Sequence, residues 1–76
     1  MSNLTTSEIL VFATNVITID QMNDVLVTLL LHPGVRQANF DLEDIDNVLR
    51  VVSKGINCNE VEQILLDQSI YCKALV

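Results

Sequence analysis

The spacing of apolar side chains along the chain predicts four helices. With residues set about 100° apart, Ile9, Leu10, Phe12, Ala13, Val16 and Ile17 gather on one arc and Ser7, Glu8, Thr14 and Asn15 lie opposite. A first helix over about 6–16 follows. It is opened by Thr5 and Glu8, a pair whose side chains satisfy each other's free N–H groups. Val11 falls among the polar positions. The run from Ile9 to Ile19 is rich in β-branched residues, so a strand is the competing reading of this segment.

Thr18 and Gln21 repeat the capping pattern and open a second helix over about 19–31. His32-Pro33-Gly34 stops it, because Pro33 disfavours helical geometry at the residue before it. Val27 and Leu31 sit inside the otherwise polar arc of Asp20, Gln21, Asn23, Asp24 and Thr28. Val35 to Phe40 reads as a connector. Asp41 then caps a third helix over about 42–54, with a stripe of Leu42, Ile45, Val48, Leu49 and Val52 and with Gly55 as terminator. In that helix Asp46 and Arg50 are four apart and can pair. Asn57 and Glu60 open a fourth helix over about 58–74. Gln68 interrupts its apolar face, while Leu66 and Ile70 point away from it. Either the helix breaks near Asp67-Gln68-Ser69 or a second chain covers its other side. The expected architecture is one all-α domain, a compact three- or four-helix bundle with short loops.

Composition supports folding. The chain has 76 residues, of which 50 % are apolar and 18 % charged, enough apolar surface to offset the ordering entropy of one small domain. Ten carboxylates face four bases, Arg36, Arg50, Lys54 and Lys73, for a net charge of -6. That field repels phosphate backbones, so direct nucleic-acid binding is not expected. No leader pattern and no apolar run of membrane-spanning length is present, which predicts a cytoplasmic protein without membrane contact. On one helix, Cys58 and Cys72 would stand roughly 21 Å apart at about 1.5 Å per residue, so they read as buried free thiols in a reducing compartment.

Motifs for chemistry are missing. An EF-hand counted from Asp41 puts Asp46 where the turn glycine belongs and Val52 where the bidentate acid belongs. His32 lacks companion ligands and reads as a helix cap. Gly34 and Gly55 are the only glycines, too few for a phosphate loop. Neither metal, cofactor nor catalysis is expected.

The leftover apolar set Val11, Val27, Leu31, Leu66 and Ile70 points to a protein-protein interaction module acting as regulator, inhibitor, chaperone or assembly factor. Val27 with Leu31, and Leu66 with Ile70, form two short ridges suited to a two-fold homodimer. One alternative is an acidic nucleic-acid mimic presenting Asp41, Glu43, Asp44 and Asp46. A second comes from size, acidity and helix number, which are similar to those of acyl carrier proteins. Such carriers need an Asp-Ser-Leu-like triplet opening a helix, whereas this chain has Asp41-Leu42-Glu43, and its Asp67-Gln68-Ser69-Ile70 lies near the C-terminus.

Overall fold

The computed structural model describes residues 8–75 except Leu42 and Asp44. It overturns the all-α expectation. The order of elements is β1 (Glu8–Thr14), α1 (Ile19–Leu30), β2 (Val35–Asp41), β3 (Val48–Ser53), α2 (Cys58–Asp67) and β4 (Cys72–Ala74). The strands form one antiparallel sheet in the order β2-β3-β1-β4. This βαββαβ arrangement is the ferredoxin-like, split βαβ topology.

Each departure from the bundle has a local cause. Around Ile9–Thr14 the strand reading wins over the helix. In β1, Leu10 and Phe12 face the core while Ile9, Val11 and Ala13 lie on the other face of the sheet. Because β1 is central and apolar on both faces, the period of two is hidden, and the same residues also fill a helical arc. Thr5, Thr6 and Ser7, which were to open a helix, lie outside the described residues. The expected third helix is a turn followed by a strand: Ile45 is 95 % exposed, and Val48–Ser53 pairs with both β1 and β2. Four of those six residues are β-branched or Leu in a row broken only by Arg50, a composition that suits a central strand. The expected connector before it is β2, an edge strand with a bulge between Val35 and Gln37.

Both observed helices begin with reciprocal caps. Thr18 Oγ1 accepts from Gln21 N–H at 3.1 Å, and Asn57 Oδ1 accepts from Glu60 N–H at 2.9 Å. Their partners' side chains close each box by accepting from the cap N–H groups. The fourth expected helix breaks where Gln68 interrupts its pattern. Ser69 takes φ 61°, Ile70 turns inward to 2 % exposure, and the chain re-enters the sheet as β4.

Both helices pack on one face of the sheet over a core of Phe12, Val25, Leu29, Leu49, Val51, Val61 and Leu65. The loops at the α1 C-terminus and before α2 interlock. Gly34 N–H donates to His32 Nδ1 at 2.9 Å, and Gly34 O accepts from Lys54 N–H at 2.8 Å and Ile56 N–H at 3.2 Å. A Cβ at Gly34 would lie 2.7 Å from the Ile56 nitrogen, so this crossing needs glycine.

The two faces of β1 give a direct test of strand against helix. A helix would bury Ile9 and Phe12 together, whereas the strand buries only Phe12. Urea unfolding is expected to show a loss of about 3–5 kcal/mol for Phe12→Ala and well under half that for Ile9→Ala. Equal losses would contradict the strand.

Candidate functional site

Two places on the molecule concentrate chemically distinct groups. The first holds the thiols. Cys58 is the first residue of α2 and Cys72 the first of β4, two elements that pack on each other. Cys72 pairs with Thr14 in the sheet, on the same face as Phe12, and so points under the helices. The expected placement of both cysteines on one helix is therefore wrong, and the separation deduced from it does not apply. Both are free and half-buried. Glu62, one turn beyond Cys58, joins Leu66, Ile70, Tyr71 and Cys72 around a cleft of about 290 Å³. Burial pushes the Cys72 thiol from 9.0 up to about 11, helped by the negative charge of Glu62 and then by Cys58.

The second place is the end of the molecule where β1 runs into α1, β2 into β3, and α2 into β4. Its loops are cross-tied. Thr14 N–H donates to Asp46 O at 3.0 Å, Thr14 Oγ1 donates to Asn47 O at 2.7 Å, and Asn47 Nδ2 donates to Val16 O at 2.6 Å. Asn15 and Tyr71 exchange two bonds, Asn15 N–H to Tyr71 O at 3.2 Å and Tyr71 N–H to Asn15 Oδ1 at 3.0 Å. On this pinned scaffold Ile17, Ile19, Ile45 and Tyr71 stand exposed, Ile17 at 80 %. None of them belonged to the apolar set expected from the helix plan. Helical phasing had placed Ile17 and Ile45 on core faces, and Tyr71 falls within the fourth helix expected over about 58–74, so no signal in that plan could have found them.

The expected partner-binding residues do not form one surface. Val27, Leu31 and Leu66 are exposed on the helices and the turn after α1. Val11 lies half-buried on the open side of the sheet, and Ile70 is core. The ridge of Leu66 with Ile70 is therefore absent. The acidic group also changes character. Asp41 ends β2 and Glu43 and Asp46 lie in the β2–β3 turn, with Asp44 outside the described residues. Asp41 Oδ2 is 3.2 Å from Arg50 Nη1, an ion pair across β2 and β3 in place of the expected contact along a helix. His32 is not isolated at its cap: its Nε2 is 3.7 Å from Glu60 Oε2.

Among the described residues no group of three or more His, Cys, Asp or Glu is placed to hold a metal ion, and no helix is long and apolar enough to cross a membrane. No family model matches the sequence, and no curated protein does so. The backbone, however, superposes on the solution structure of the yeast copper transporter domain CCC2A, determined in apo and Cu(I)-loaded states, with a TM-score of 0.81. The fold is similar to that of a copper-transporter domain. The likeness covers 93 % of this chain and 97 % of that one at 16 % identity, so it describes the fold. It corrects the functional expectation as well as the bundle. The regulator rested on an apolar set that the structure divides between the helices, the sheet and the core, the nucleic-acid mimic on an acidic helix where the described residues form a turn and a strand, and the acyl carrier on four helices where the structure has two.

The raised thiol makes stability depend on pH. Folded Cys72 keeps a proton that the unfolded chain gives up near pH 9, so its contribution is complete below about 9 and is lost as pH rises through about 11. Denaturation midpoints are expected to fall more steeply over that window in the wild type than in Cys72→Ser. Parallel curves would contradict the burial of this thiol.

Proposed function

We propose that this chain takes part in handling a soft monovalent metal ion such as Cu(I). The observation that carries the reading is the near-complete backbone likeness to a copper transporter domain. Cu(I) selects thiolates over oxygen donors. The loop end offers none: residues 15–18 are Asn, Val, Ile and Thr. Sulfur suited to the ion comes instead from Cys58 and Cys72, which stand on adjoining elements, Cys58 being among the groups that raise the Cys72 thiol. The pair suits the ion in softness and number, since two thiolates are enough for a cuprous ion of low coordination, and binding would have to draw the two sulfurs together. Because Cys72 is a neutral thiol at rest, taking up the ion releases its proton.

Moving such an ion requires a second protein to give or receive it. Tyr71 joins the two candidate places, lying beside Cys72 in the cleft and bonded to Asn15 at the loop end. The partner's face is accordingly the apolar loop end of Ile17, Ile19 and Ile45, bordered by Asp20 and Glu43.

Anaerobic titration with Cu(I) against a chromogenic chelator tests the assignment. One equivalent is expected per chain, with affinity reduced on the order of a hundredfold or more in Cys58→Ser and in Cys72→Ser. Circular dichroism on each variant confirms that the fold is kept. A wild type that competes no better than the double serine variant would exclude this role for the thiols.

A further inference from the structure

The molecule separates its charges by layer. The two helices carry Asp20, Asp24, Glu60, Glu62 and Asp67, and neither contains a Lys or Arg. Arg50 and Lys73 instead stand on the open side of the sheet, opposite Val11 and Ala13 in the register. Arg50 shares its charge with Asp41. Between and beside these bases runs an apolar strip of Ile9, Val11, Ala13 and Val52 that none of the described elements covers, with Ile9 63 % exposed.

The opposite side of the molecule carries the complementary features. Asp24 and Asp67 border a groove of about 460 Å³ between α1 and α2, with Val27 and Ile64 on its walls. Leu31 and Leu66 are exposed alongside. Arg50 and Lys73 are two strands apart and offset by two residues, roughly 12 Å from strand geometry. Asp24 and Asp67 line one groove, so both carboxylates are presented to the same occupant.

We infer that the open sheet face of one copy binds the helix face of a second copy, with Arg50 and Lys73 directed at Asp67 and Asp24 and the two apolar strips in contact. The surfaces are different and lie on opposite sides, so the contact is head-to-tail and repeats from copy to copy instead of closing into a two-fold dimer. The net charge of -6 opposes approach, which makes the association weak and dependent on these local pairs. This does not depend on metal binding.

Sedimentation velocity on the full chain, under reducing and metal-free conditions at about 0.1 M salt, tests the inference. The weight-average mass is expected to rise at least about 1.5-fold between ~0.05 and ~1 mM. Asp24→Lys/Asp67→Lys places bases at the contact positions of both faces and Arg50→Glu/Lys73→Glu places acids at both, so each variant alone should stay monomeric. All four positions are exposed, and circular dichroism verifies folding. An equimolar mixture of the two variants restores opposite signs at every contact and should associate again. A wild type that is monomeric at ~1 mM, a mixture that remains monomeric, or a closed dimer indifferent to these charges would each overturn the inference.

Discussion

Phe12 opposite Leu49 is the contact on which the remaining structure depends. The two side chains face the helices from adjacent central strands, both fully buried. Val25 and Leu29 of α1 and Val61 and Leu65 of α2 complete the same cluster. Aligning β1 with β3 at this pair also brings Leu10 opposite Val51 and leaves Ile9, Val11 and Val52 on the far side. A slip of one residue would exchange the two faces and put Arg50 under the helices, an uncompensated charge in an apolar layer. Register, helix placement and the position of the thiols therefore share one origin.

The sequence made the helix starts legible because capping is local chemistry. Thr18 with Gln21 and Asn57 with Glu60 need only three residues to declare themselves, and both boxes are present. The strands were obscured for an equally physical reason. A central strand with apolar residues on both faces, such as Glu8–Thr14, lacks the alternation that identifies an exposed sheet. Val48–Ser53 was further hidden by acids before it that look like the first turn of a helix, of which Glu43 and Asp46 lie in a turn between strands. Gln68, recorded as a misfit on an apolar face, marked the true end of α2.

The candidate sites were less legible than the fold. Cys58 and Cys72 gain meaning only when β4 folds back along α2, a contact that no local pattern announces. The exposed Ile17, Ile45 and Tyr71 were invisible for the opposite reason, since any helical phasing assigns such residues to a core. A small acidic chain has surplus apolar residues, and the surplus is spread over loop tips, the outer sides of the helices and the open side of the sheet. Composition does not distinguish these places from a bundle interface.

The strand order also sets how the chain must be assembled. Neighbours in the sheet are distant in sequence: Phe12 meets Leu49 37 positions later, and Ala74 62 positions later. Closing loops of that length costs entropy before any of these pairs can be rewarded, so the rate-limiting ensemble must already hold the N-terminal strand against the middle of the chain. Among the described strands, the only neighbours formed locally are β2 and β3, which follow each other directly in the chain. That hairpin is the natural first template, with β1 as the late, expensive addition and β4 the last strand to dock. A four-helix bundle of equal length, made of local contacts, would reach its native state faster.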